Sequence, residues 1–170
     1  MNLEQRISNL ERNAPAPVPG NLTLGRIELV NTTSTQSIAN ITATTIGNGT
    51  GSTAWTVVEN LGGIFTHSLG RLTVSAAGRY AIWGNVRWDT NATNRRLLTI
   101  TKNAGGTLVD LSGVVLQAVI STRLAVSITS VRLLANDTLD LMVYQDSGSA
   151  RTLAAQTSTP FNFVVEYLGA

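Results

Sequence analysis

The sequence predicts an all-β domain, a sandwich or barrel of about ten strands, set behind a short helix and a proline-rich spacer. Three observations predict it. From residue 22 to 170 the chain breaks into short apolar or alternating runs, separated by Gly, Asn, Asp and Ser. Thr, Val and Ile are plentiful, whereas surface-helix residues are scarce and Lys102 is the one lysine. Hydrophobic residues make up 43% and mean hydropathy is +0.14, so the chain has the apolar material for a packed core although charged residues are only 13%.

The helix is predicted over Asn2 to Asn13. Leu3, Ile7 and Leu10 are spaced by four and then three, a d-a-d stripe on one face. Asn2 suits the N-cap, and Glu4 suits the positive end of the helix dipole. In this register Arg6 occupies g and Glu11 the following e, which places them to pair between chains. So short a helix is marginal alone in water. Residues 1–13 are therefore expected to anchor and trimerise, packing on copies of themselves or in a partner's socket. The alternative is a surface helix lying on its own domain. Residues 14–21 follow as a linker in which Ala14-Pro15-Ala16-Pro17-Val18-Pro19-Gly20 alternates proline. It should run as polyproline II, a semi-rigid rod of roughly 20 Å.

The domain occupies residues 22–170. Strands are expected near Leu24–Val30, Ala54–Val58, Gly63–Thr66, Arg71–Val74, Gly78–Asp89, Arg95–Thr101, Val114–Ile120, Leu124–Leu133, Thr138–Gln145 and Phe161–Leu168. Thr32 to Thr53 is the least regular stretch. One strand is the most telling. Tyr80, Ile82, Val86 and Trp88 alternate onto one face with Gly84 between them, and Ala81, Trp83, Asn85 and Arg87 take the other. A core face backed by a lone Trp predicts two buried environments, a sandwich interior and a subunit contact.

Four segments in order resemble the C1q/tumour-necrosis-factor jelly-roll family, over about 100 residues from Gly63 to Leu168. They are Phe65 with Leu72-Thr-Val-Ser-Ala-Ala-Gly-Arg-Tyr-Ala-Ile-Trp, then Arg96-Leu-Leu-Thr-Ile-Thr-Lys-Asn, then Ser127 through Gly148, and finally Ser158-Thr-Pro-Phe-Asn-Phe-Val-Val-Glu-Tyr-Leu-Gly. Asn136-Asp137 stands where the family has Gly-Asp, and Asn is the usual substitute for Gly at positive φ. The resemblance implies a jelly-roll β-sandwich and a homotrimer, with Trp83 and Val126 toward the three-fold axis. The Ile-at-a, Leu-at-d helix by itself favours two strands, but it spans under two heptads, and the jelly roll decides.

The residues offer little for catalysis. There is no Cys, which removes thiol nucleophiles, Cys-zinc sites and disulfides. His67 is the single histidine and reads as structural or surface, and no Ser lies in a Gly-x-Ser-x-Gly elbow. Asp137, Asp140 and Asp146 lack EF-hand spacing, Asp140 sitting in a strand three residues beyond a turn Asp, and turn residues are the better reading than calcium ligands. The resemblance leaves calcium near the trimer axis open, without naming ligands, and no cofactor is expected. Neither Gly-rich segment is followed by Lys-Ser/Thr and a helix. Arg95-Arg96 reads as a solvated pair, with binding to an anionic glycan or lipopolysaccharide as the sharper alternative. A net charge of +2 is too small for a nucleic-acid footprint, and no apolar run approaches a membrane span. The six Asn-x-Thr triplets are within chance for so Asn- and Thr-rich a chain.

With no secretory signal in its polar N-terminus, the chain is expected to start in a cytoplasm. Short helix, stiff neck and C1q-like knob together resemble bacteriophage fibre, head-decoration and receptor-binding knobs. The expected function is thus a virion structural protein, its N-terminus held by a capsid or tail protein and its knob free for a host-surface glycan or receptor, or for capsid decoration. The alternative is a free-standing C1q-like, lectin-like module. Contacts are expected from the turns Asp89–Asn94, Asn103–Gly106 and Asp146–Arg151, with Asn91, Asn94, Arg95, Asn103, Asp146 and Arg151 as candidates.

Overall fold

Alternating burial runs along most strands of the described residues, which in this computed structural model are 25–32, 35–47, 55–89, 93–104, 107–117 and 123–170. The expected helix and neck, with Leu3, Arg6, Ile7, Leu10 and Glu11, lie outside them, as does Asn91. One sheet has five strands in the order β10 (Arg123–Leu133), β7 (Gly78–Arg87), β13 (Phe161–Gly169), β1 (Arg26–Asn31) and β4 (Thr56–Leu61). The second runs β5 (Phe65–Ser68), β6 (Arg71–Val74), β11 (Thr138–Gln145), β8 (Arg95–Ala104) and β9 (Thr107–Gln117), with β3 (Thr44–Thr45) also on β11. A two-stranded pair joins β2 (Thr35–Ile38) to β12 (Arg151–Ala154). All pairings are antiparallel, and β13 lies between β1 and β7. This is the predicted all-β jelly-roll sandwich.

The period of two sorts the residues. Ile27, Leu29, Tyr80, Ile82, Val86, Phe163 and Val165 face inward from the first sheet, against Leu72, Leu98, Ile100, Leu139, Leu141 and Val143 from the second. Gly84 is required opposite Leu141 of the second sheet, because a Cβ there would lie 2.8 Å from Leu141 Cδ1. Cations close the two ends of the core. At one, the Arg96 guanidinium lies 5.2 Å from the centroid of the buried Trp88 ring. At the other, Lys102 Nζ is 3.2 Å from Asp137 Oδ2, which also accepts the Leu134 N–H at 2.8 Å. Asn136, in that second turn, has φ 70°, the left-handed conformation expected of it.

Several expectations change. Arg96 is fully buried, so Arg95-Arg96 is not a solvated pair: alternation sends Arg95 outward and Arg96 under Trp88. Strands β2, β3 and β12 arise where no strand is expected. In β2 the inward positions are Gln36 and Ile38, and Gln36 is buried because its amide donates to Thr45 O and accepts from Gly47 N, both at 3.0 Å. A satisfied polar residue at a core position hides the alternation. The strand expected from Val114 begins at Thr107, since Gly113 lies within β9 opposite Thr99 rather than bounding it.

Gly84→Ala should destabilise the domain by about 1–3 kcal/mol through overpacking against Leu141. Leu141→Val in the same chain should recover part of that loss in chemical denaturation, because the two changes share one space.

Candidate binding surfaces at the sheet face and the loop end

The outer face of the five-stranded sheet carries a polar ladder beside an aromatic ring. Arg26, on β1, pairs with Glu28 Oε2 at 2.8 Å and with Glu59 across on β4. Asn162 Nδ2 donates to Glu28 Oε1 at 3.3 Å, and Asn85 Nδ2 donates to Asn162 Oδ1 at 3.4 Å. The chain of contacts thus crosses β4, β1, β13 and β7. The guanidinium of Arg26 also lies 5.9 Å from the Trp83 ring centroid. Val164 sits between Trp83 and Glu28 in register and is 1% exposed, although it faces outward. Trp83 stays half-buried, with Ser127 opposite it on β10 and exposed.

Val126 does not join Trp83. Its partner in register is Gly84, so it points into the sandwich and is 6% exposed, a member of the core. Neighbouring positions on paired strands alternate faces, and Val126 and Trp83 differ by one step. The outward residues on β10 beside Trp83 are Ala125 and Ser127.

The second surface is the loop end. Asn94, with φ 56°, donates from Nδ2 to Asp146 O at 2.8 Å. Arg95 binds the Asp146 carboxylate twice over, by its N–H to Oδ1 at 2.7 Å and its Nε to Oδ2 at 2.9 Å. Arg151 donates to Ser147 Oγ at 3.0 Å and Ser149 Oγ at 2.9 Å. Asn40 joins by accepting the Gly148 N–H at 2.8 Å. Asn94, closing the expected Asp89–Asn94 turn, and Arg95 after it therefore meet the Asp146–Arg151 turn. Asn103 lies at the other end of β8, roughly 30 Å of strand away, where Thr138 Oγ1 contacts its carbonyl at 3.5 Å. That is also the end at which Gly25 O accepts the Tyr167 N–H.

The three aspartates are each occupied by a cation: Asp137 by Lys102, Asp140 by Arg71 and Asp146 by Arg95. Sequence reasoning missed Arg26, Glu28 and Glu59. Arg26 and Glu28 alternate with Ile27 and Leu29, a usable sign of an outward pair, but the partner on β4 depends on register across 33 residues.

The Asp146 carboxyl is held below the ordinary carboxylate range, first by the Arg95 backbone N–H and then by its side chain. A depressed carboxyl contributes stability that is complete above its unfolded pKa and lost as pH falls through the folded value. The Arg95 amide resonance should therefore stay native through the ordinary Asp range near pH 4 and move only in stronger acid. In Asp146→Asn that acid step should vanish. An Arg95 amide that titrates in the ordinary range would contradict this geometry.

No protein-family model and no curated protein matches the chain. Solved structures do. Murine APRIL at pH 5.0 superposes with a TM-score of 0.64 at 12% identity, covering 84% of this chain and 98% of that one. Murine APRIL at pH 8.5 gives 0.62 at 12% identity, covering 83% and 98%. Eiger TNF from S. frugiperda gives 0.62 at 11% identity, covering 87% and 95%. The described domain therefore has the tumour-necrosis-factor-like jelly-roll fold.

Proposed function

We propose that this chain is the homotrimeric knob protein of a bacteriophage particle, anchored through its N-terminal segment and working by binding rather than catalysis. The observation that carries the reading is the opposition of the two ends. The chain runs into the sandwich at Gly25, beside Tyr167, while Asn94, Arg95, Asp146 and Arg151 gather at the far end of the long strands. A tether at one end leaves the far loops facing outward. The helical pattern of residues 1–13 and the proline run of 14–21 supply the tether, and the family resemblance supplies the three-fold assembly. Three copies of one weak site give avidity wherever their spacing matches the target. Asn103, at the tethered end, drops out of the binding set in this reading.

The trimer is assigned to the Trp83 face, since Trp83, Ala81, Ala125 and Ser127 offer an uncharged patch beside an ion-pair ladder. Trp83→Asp should convert the trimer to monomer or aggregate in light scattering. A soluble, well-folded dimer of the parent chain would contradict the assignment.

The virion reading is tested on particles. Deleting residues 1–20 should leave a folded trimeric knob that no longer joins them, and full occupancy by the truncated knob would sink the anchor. Replacing residues 89–94 and 146–151 with short Gly/Ser turns should abolish host adsorption with the trimer intact. Unchanged adsorption with lower particle heat stability would instead assign capsid decoration. A trimer never found on particles would favour the free lectin-like module.

A further inference from the structure

A cavity of about 320 Å³ opens beside the β5–β6 hairpin, near the lower limit of roughly 300 Å³ for small-molecule sites. Thr66, Ser68 and Thr73 line it with hydroxyls, and Arg71 and Asp140 form one wall. Arg71 is locked: Nε lies 3.0 and 3.2 Å from the two oxygens of Asp140, and Nη2 lies 2.9 Å from Oδ2. Asp140 is 1% exposed, so the pair is a fixed feature of the sheet rather than a loose surface contact. Locking costs the cavity its net charge, because the carboxylate cancels the guanidinium. His67 also lines the space, and burial holds its imidazole below the ordinary range, hence uncharged at neutral pH. His67 alternates with Thr66 and Ser68 and pairs with buried Leu72, so the ring itself lies toward the core side of the hairpin and adds no charge to the hydroxyl-lined face.

The hairpin turn adds an independent sign. Leu69 and Gly70 take φ values of 47° and 81°, both positive, as in the two-residue turns that favour Asn-Gly. Gly70 is obligatory, since a Cβ would lie 2.0 Å from Ile46 O. Leu69 is the anomaly. A bulky non-glycine residue is strained at positive φ, and here it is 71% exposed on the cavity rim. An exposed apolar side chain held at a backbone cost, beside an uncharged hydroxyl-lined cavity, fits a ligand with both apolar and hydroxyl surface.

We propose that this cavity binds a neutral sugar ring, with Leu69 packing against the ring's C–H face and Thr66, Ser68, Thr73 and the Arg71 guanidinium exchanging hydrogen bonds with its hydroxyls. Hydroxyls donate and accept, as the ligand's own do, whereas the guanidinium only donates. The cancelled charge selects against uronates and sialates, which would bring a carboxylate toward Asp140 with no free cation to receive it. The site is lateral and separate from the loop end, so it stands or falls independently of the virion reading.

The full chain can be titrated with methyl α-glucoside, methyl α-galactoside, methyl α-mannoside and methyl β-glucuronide, followed by amide shifts of residues 66–73. At least one neutral glycoside should bind in the millimolar range, with the glucuronide at least tenfold weaker. Thr66→Val/Thr73→Val, which keeps strand propensity and shape, should weaken binding at least tenfold. Leu69→Asn should raise Tm by relieving the turn and still weaken binding at least threefold, a split that a purely structural Leu69 would not produce. Absence of shifts with every neutral glycoside, stronger binding of the glucuronide, or unchanged affinity in the double valine variant would each overturn the proposal.

Discussion

The two-residue period of β7 is the constraint on which the other elements hang. Its inward residues, Tyr80, Ile82 and Val86 with Gly84 among them, fill the sandwich, and Trp88 just past its end continues the same face, so the strand cannot slip by one without exposing all of them. That register fixes what faces outward: Ala81, Trp83, Asn85 and Arg87. Strands β10 and β13 take their own registers from β7, which is why Val126 faces the core and Ser127 faces out beside Trp83. Gly84 lets the second sheet approach through Leu141, and the sheets then meet closely enough for Arg96 to cover Trp88 at one end.

Charge is sparse and is spent across strands. Arg71 with Asp140, Arg95 with Asp146, Lys102 with Asp137 and Arg26 with two glutamates tie neighbouring strands or turns together. Arg95 with Asp146, the most exposed of them, adds little stability singly, whereas Asp140 and Asp137 are buried carboxylates that need their cations. Their effect is to orient: Arg71 is held as one wall of a cavity, and Arg95 fixes Asp146 so that two loops meet at one end. The remaining polar surface is largely Thr, Ser, Asn and Gln, which suits binding through hydroxyls and amides better than steering by charge.

Most of the long strands, though not β9, were legible because hydrophobic alternation is local. Gly78–Arg87, Thr138–Gln145 and Phe161–Gly169 could be read almost to their ends, and the two faces of β7 could be assigned residue by residue. What could not be read depends on partners distant in sequence. Gln36 belongs to the core only because Thr45 and Gly47 satisfy its amide. Arg96 is buried only because Trp88 lies across the sandwich, and Val126 leaves the Trp83 face only through its pairing with Gly84. Of the expected loop residues, the meeting of Asn94, Arg95, Asp146 and Arg151 follows from antiparallel topology, which also carries Asn103 to the opposite end.

In the proposed trimer β7 is covered on both surfaces, its core face by the second sheet and its Trp83 face by other copies of the chain. The absence of cysteine makes this directly measurable. Single cysteines placed by Ser127→Cys, beside Trp83, and by Ser149→Cys, on the exposed loop end, can be compared for their rate of thiol labelling in the native assembly. The cysteine at 127 should be strongly protected, while that at 149 should react at close to the unfolded rate. Equal and rapid labelling of both would contradict it.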